Sequence, residues 1–145
     1  MLSAFILAAA LTSPTQAMTA PVYRWIDDFN AARTPLPRDV FTDDAVITDE
    51  FAPYVWSGRA GVRAWSEDLD RSVHSPRIRD EKVVVGAPRA FMIDAPGDRA
   101  SFVLPATLTY VFDGTPSTDR ALWFFVVVKD GDAWKISADT WTLSD

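Results

Sequence analysis

Residues 121–143 read ALWFFVVVKDGDAWKISADTWTL. Two runs rich in β-branched and aromatic residues, Ala121 to Lys129 and Trp134 to Leu143, flank Asp130-Gly131-Asp132. Such side chains favour strands, and a short Asp/Gly segment between two such runs marks a hairpin. Trp123 to Val128 is apolar at both alternating positions. That suits a central strand covered on both sides, on one of them by a partner copy.

Working upstream, Val83 to Val85, Ala90 to Ile93 and Ala100 to Phe112 have the same character. Gly86-Ala87-Pro88, Ala95-Pro96-Gly97-Asp98 and Asp113-Gly114 separate them as turns. Pro105 lies within the third run and requires a bulge or an edge position there. Before Pro76 the pattern is helical. Val62, Trp65, Leu69 and Val73 share one face of a predicted helix over Gly58 to Val73, with Arg63, Glu67, Asp70 and Arg71 elsewhere. Tyr23, Ile26 and Phe29 recur at helical spacing over Pro21 to Ala32, until Thr34-Pro35-Leu36-Pro37 ends the helix. Between the helices, Phe41 to Asp44 reads as a turn and Ala45 to Asp49 as a short strand. Phe51 to Ser57 is aromatic-rich and interrupted by Pro53. Helices succeeded by a meander of antiparallel strands give an α+β fold with helices on one face of a curved sheet.

The chain has 145 residues, one domain's worth, and 48% of them are hydrophobic. Six Trp, three Tyr and nine Phe can furnish both a core and an aromatic pocket. The formal net charge is −6, and no Lys/Arg-rich run appears, so nucleic acid is not an expected partner. There is no cysteine, which excludes disulfides, thiol catalysis and zinc–thiolate sites. The single histidine, His74, excludes any site needing two histidines from one chain. No metal, nucleotide or haem motif is present, and no cofactor is expected.

Residues 1–17 carry no charge, and Leu2 to Leu11 is too short an apolar stretch to span a bilayer. No integral membrane span is expected. Thr15-Gln16-Ala17 has the small-residue pattern of an export cleavage site, but a basic segment before the apolar stretch is missing. Three readings are open: a signal peptide, a non-native leader ahead of a start at Met18, or an ordered N-terminal helix. On the first, the protein is exported to the periplasm or beyond; otherwise it is cytoplasmic. The remainder, 18–145, forms a single domain.

The chain resembles the nuclear transport factor 2-like superfamily, and within it the SnoaL-like, polyketide cyclase-like branch. Tyr23 with Phe29-Asn30-Ala31, then Phe41-Thr42-Asp43-Asp44-Ala45-Val46, carry the first part of the likeness. Trp56-Ser57-Gly58 with Val62 and Trp65 come next, and Trp134-Lys135-Ile136 leading to Trp141-Thr142 closes it. The resemblance spans about Val22 to Thr142. It implies a cone of three helices wrapped on a strongly bent sheet, with an apolar pocket at the open end. Homodimers are common in the superfamily it resembles, and a homodimer is an expected partner. Members include isomerases, dehydratases, cyclases, epoxide hydrolases and binding domains, so the fold leaves function open.

Alternation along the last strand puts Trp134, Ile136, Ala138 and Thr140 on one face and Lys135, Ser137, Asp139 and Trp141 on the other. In many relatives that strand carries histidines facing the pocket, at about Ala138 and Thr140 here. Neither residue can act as a base. Tyr23, Trp56, Trp65, Ile136, Ala138 and Thr140 are the expected pocket lining. Asp139 reads as exposed or near a sheet edge, although a carboxylate turned inward could be a base. Of Asp49 and Glu50, alternation lets only one enter a cavity, where desolvation would raise its pKa. Tyr54 could donate a hydrogen bond to a substrate oxygen. His74, at a helix C-terminus, could join an aspartate in acid–base work. Each also has a plain reading as strand end, packing aromatic or exposed helix end. Asp130-Gly131-Asp132 lacks the remainder of a calcium loop and reads as a hairpin turn. The expected function is binding of a small apolar molecule without a complete catalytic set. Two alternatives stand beside it: a cofactor-independent acid–base enzyme, built on Asp49, Tyr54, His74 and Asp139, and a dimerisation or protein-interaction domain.

Overall fold

The structure is a computed structural model that describes residues 13–145. The apolar stretch Leu2 to Leu11 lies outside the described residues. Helix α1 spans Pro14–Asn30 and so begins well before the predicted Pro21. Ser13 caps it: its hydroxyl accepts from the Gln16 N–H, and the Gln16 side chain accepts from the Ser13 N–H. This reciprocal arrangement satisfies two donors that a helix start otherwise leaves orphaned. Pro21 sits inside the helix, and Thr15-Gln16-Ala17 forms part of the first turns. Met18, Val22, Trp25, Ile26 and Phe29 make the buried face.

The chain continues through β1 (Phe41–Thr48), β2 (Val55–Ser57), α2 (Gly58–Val73), β3 (Ile78–Val85), β4 (Arg89–Ile93), β5 (Arg99–Phe112), β6 (Thr115–Asp130) and β7 (Ala133–Leu143). The segment Phe41 to Asp44, read as a turn, is the start of β1. The sheet order is β2-β1-β7-β6-β5-β3, with β4 also on β5. The α+β class holds: helices pack on one face of a curved sheet. Two refinements apply. The sheet is mixed, because β1 runs parallel to β7 while the other pairs are antiparallel. Among the described residues there are two α-helices where the resemblance implies three.

Pro105 occupies a local edge, as its missing N–H requires. Its carbonyl accepts from the Gly86 N–H at 2.8 Å, where β3 ends and β4 has not yet begun. Its nitrogen points to the same side, where no partner strand needs a donor.

The register of β7 on β6 decides which side chains of the last strand face inward. Val126 faces Ala138 and Val127 faces Ile136, so Ser137 is an extra residue on β7. Such a bulge resets the alternation of the strand. Before it, Ile136 points into the core; after it, Asp139 and Trp141 do. Ala138 and Thr140 are turned to the outer face, beside Val46, Phe124 and Thr48. The predicted single face of Trp134, Ile136, Ala138 and Thr140 is therefore corrected at its second half.

Helix α1 is tied to the sheet by Asn30. Its amide donates to the Val83 carbonyl at 2.8 Å and accepts from the Val83 N–H at 2.7 Å. The side chain thus acts as a short extra strand against β3, at the end where the cone opens. Asn30→Ala leaves both Val83 groups without this partner. We expect a loss of about 1–3 kcal/mol of unfolding free energy, read by urea denaturation with the slope unchanged.

Candidate functional site

A cavity of about 630 Å³ lies between the concave face of the sheet and the two helices. Helical spacing builds one wall. Trp65, Asp68, Leu69 and Ser72 fall on one face of α2, and Trp25 and Phe29 on one face of α1. The sheet supplies the rest, from Val83, Leu108, Tyr110, Trp123 and Trp141 among others.

Two carboxyl groups stand at the bottom of this aromatic chamber. Asp139 is 2% exposed. Phe125 faces Asp139 across the β6–β7 ladder, and Trp123 faces Trp141, so Trp123 is the diagonal neighbour of Asp139 on the inner face. Its indole Nε1–H donates to Asp139 Oδ1 at 2.6 Å. Asp49 comes directly after β1, two residues beyond Ile47, which pairs with Asp139. The Trp65 Nε1–H donates to Asp49 Oδ2 at 2.9 Å, and the Glu50 N–H donates to Oδ1 at 2.8 Å. The two tryptophans that hold the carboxyls flank a third: Trp25 stacks on Trp65 at 5.3 Å and meets Trp123 edge-on at 5.6 Å. The Trp25 Nε1–H is buried and has no acceptor among the described residues.

Electrostatics separates the pair. Burial, opposed by the Trp123 hydrogen bond and reinforced by the charge of Asp49, pushes the Asp139 carboxyl up to about 8. Burial also raises Asp49, but donors from Trp65 and Glu50 favour its charged form and oppose the rise. At neutral pH Asp139 holds its proton, and Asp49, with two donors, is the more readily ionised of the two. Two acids whose surroundings set them apart in this way are the elements of an acid–base pair.

Further out, Glu50 and Asp119 join the lining. Both residues of the Asp49-Glu50 pair reach the cavity, although strict alternation admits one. The strand has already ended at Thr48, so its parity no longer constrains Glu50. Burial first, then the charges of Asp49 and Asp119, push Glu50 up. Burial and then Asp119 push the Tyr110 hydroxyl up. Glu81, raised by burial, accepts from the Ser72 hydroxyl at 3.1 Å.

The other sequence-predicted residues are dispersed. Trp65 lines the cavity. Trp56 is buried beside Phe51, at 5.0 Å between ring centroids, outside the lining. Ile136 belongs to the core, and Tyr23 packs partly buried against it. Ala138 and Thr140 are on the outer face. Tyr54 is 57% exposed at the turn before β2. His74 is exposed at the end of α2, with its Nε2 3.4 Å from the Thr34 hydroxyl in a separate groove. Neither reaches the carboxyl pair. Sequence reasoning misses Glu50 as a partner of Asp49, and Glu81, Tyr110, Asp119 and Trp123 as lining. Strand parity places Tyr110 and Trp123 inward, and it does the same for Glu81, which alternates with Val83 and Val85. Among the described residues no group of three or more His, Asp or Glu is placed to hold a metal ion. No described helix is long and apolar enough to cross a membrane.

No family model and no curated protein matches the chain. Solved structures do. The Kfla4162 protein of Kribbella flavida superposes with a TM-score of 0.74 at 18% identity, covering 91% of this chain and 91% of that one. A type 2 hexachlorocyclohexane dehydrochlorinase (LinA) gives 0.73 at 14% identity, over 90% and 85% of the two chains. A Novosphingobium aromaticivorans protein named as a candidate scytalone dehydratase gives 0.70 at 12%, over 90% and 84%. The fold shared with these structures is an α+β cone of helices on a curved sheet, as the resemblance to the nuclear transport factor 2-like superfamily implies. At these identities the likeness is one of fold.

The raised Asp139 has a consequence for stability. Between the unfolded carboxyl value near 4 and the folded value of about 8, the native state binds more protons than the unfolded one. Stability associated with this group is present below pH 4 and is lost as pH rises to about 8. Asp139→Asn keeps the acceptor for Trp123 and removes the titration. We expect it to exceed the native protein in unfolding free energy by more than about 1 kcal/mol at pH 7. The difference should shrink toward pH 4, as measured by denaturant melts across that range.

Proposed function

We propose that the cavity binds a small, mainly apolar molecule and moves a proton on it without a cofactor, as a SnoaL-like acid–base enzyme. The observation that carries this reading is the Asp49–Asp139 pair: one chamber and two indole-held carboxyls, of which the deeper, Asp139, is pushed up to about 8. Asp49 takes a proton from a carbon beside a polarised carbonyl, and protonated Asp139 donates to the carbonyl oxygen. The unpartnered Trp25 N–H offers that oxygen a second donor. Return of the proton to a different carbon gives isomerisation; loss of a β-hydroxyl as water gives dehydration. The dehydrochlorinase and dehydratase named among the similar folds carry out eliminations by their names, which supports the class without fixing it. The binding half of the sequence expectation is retained. Its incomplete catalytic set is revised, because Asp139 stands inside. Tyr54 and His74 have no part in this scheme.

The test is carbon-bound deuterium uptake from heavy water into a panel of small cyclic ketones and enones, monitored by NMR. We expect uptake that rises as Asp49 ionises and declines near pH 8 as Asp139 loses its proton. Asp49→Asn should lower the rate by about 10²–10⁴-fold with the fold intact. Saturable binding of such compounds with no uptake in any of them would return the domain to a binding module.

One observation favours homodimerisation as well. Val46, Leu122 and Phe124 are exposed apolar side chains on the outer face of strands β1 and β6, which flank β7. A second copy would bury this row. Sedimentation should show a dimer that the Leu122→Glu/Phe124→Glu double variant converts to a folded monomer. A monomeric native protein at the same concentration would dismiss it.

A further inference from the structure

The charges around the cavity are one-sided. Its lining includes Asp49, Glu50, Asp68, Glu81, Asp119 and Asp139, and no Lys, Arg or His. Outside the lining, half of the carboxylates have an ion-pair partner, among them Asp39 with Arg24, Asp28 with Arg33, Asp43 with Arg59 and Asp113 with Arg77. Of the cavity acids, Asp68 alone has such a partner, Arg71. The others have no ion-pair partner among the described residues. Fourteen Lys and Arg were available to the chain, and none lines this chamber.

The remaining walls are aromatic. Trp25, Phe29, Trp65, Tyr110, Trp123 and Trp141 present ring faces and edges to the same space. Ring faces carry negative electrostatic potential and attract cations within about 6 Å. Acids and ring faces therefore favour the same sign of guest. The chamber also has an unfilled role of its own. Trp25 is 4% exposed, forms part of the wall, and its Nε1–H has no acceptor. A buried donor left without a partner points to an acceptor supplied from outside the protein.

We infer that the molecule taken by this cavity is an amine carrying a positive charge, seated with its ammonium among Glu50, Asp119 and Tyr110 and its apolar body on the tryptophans. This assignment rests on the cavity being a small-molecule site, and names the substrate class. An ammonium there relieves the mutual repulsion of carboxylates that the protein leaves uncompensated. A carboxylate or phosphate guest adds to that repulsion. The ammonium end stays near the mouth, where Glu50 is exposed and hydration is retained, and the apolar end enters the drier floor. A substrate oxygen beside Asp139 and Trp25 then lies at the opposite end from the charge.

The test uses three probes with one body and three heads: phenethylamine, 2-phenylethanol and phenylacetate. Each is titrated into the full-length protein at pH 7 by calorimetry and by tryptophan fluorescence. The amine should bind at least about tenfold more tightly than the alcohol, and the acid least. The amine's advantage should fall as salt rises, because the mouth is open to solvent. Glu50→Gln/Asp119→Asn, which leaves Asp49 and Asp139 in place, should bring amine and alcohol to within about twofold of each other. Circular dichroism of the double variant checks that it folds. An alcohol that binds as tightly as the amine, a preference for the acid, or no saturable binding of any probe overturns the assignment. The head-group order in the native protein is independent of turnover. A preserved order without deuterium uptake sinks the catalytic reading alone, and uptake without the order sinks this one alone.

Discussion

One extra residue in the last strand holds the site together. Without the bulge at Ser137, the inner face of β7 would carry Ala138 and Thr140, and Asp139 would face outward. The Trp123 indole would then have no carboxyl to meet, and Asp49 would stand without a second acid. A bulge costs little: one unpaired residue and a stronger local twist. In a curved sheet that twist is wanted anyway, since β3, β6 and β7 must all reach α1. The feature that bends the sheet is thus the one that delivers the acid.

Burying that acid is the larger cost. A carboxyl at the floor of an aromatic chamber is stable in its neutral form, so the fold holds a proton at neutral pH that the unfolded chain releases. The cavity acids above it add like charge. Neither serves stability, and an asparagine at position 139 would keep the acceptor for Trp123 without the titrating group. Departures from local consistency of this kind mark sites where chemistry, rather than packing, sets the residue. Seven ion pairs lie elsewhere, while Asp49, Glu50, Glu81, Asp119 and Asp139 have none among the described residues.

Much of the scaffold is legible in the sequence because it rests on short-range periodicity. The face of α2 through Val62, Trp65 and Leu69 comes from spacing alone, and the β5–β6–β7 meander from strand runs and their turns. The early start of α1 escapes such reading, because Pro21 looks like a first-turn residue while the helix tolerates it inside and begins at the Ser13 cap. The site is only half legible. Asp49 and Trp65 emerge from asking which residues could enter a pocket. Alternation places Asp139 outside, since a binary pattern cannot reveal a bulge. Glu81 is different, because plain alternation with Val83 and Val85 puts it on the inner face. Tyr54 and His74 draw attention by residue type, yet each lies at an exposed turn or helix end that no neighbouring element covers.

The division of roles within the acid pair comes from donors rather than from the acids themselves. Asp49 receives two N–H groups, from Trp65 and from the Glu50 backbone, and sits half-buried. Asp139 receives one, from Trp123, and is almost wholly enclosed. Each added donor favours the charged form, and each lost water disfavours it. The two groups also feel one another, since charge on Asp49 further raises Asp139. The first proton therefore leaves the better-solvated member, and its departure holds the second in place. Their titration belongs to the pair. A cation brought to the mouth would lower both, and the deeper group least, because it is farther from the charge. Bound substrate of that class would leave Asp49 charged and Asp139 protonated, which is the state that proton transfer across the pair requires.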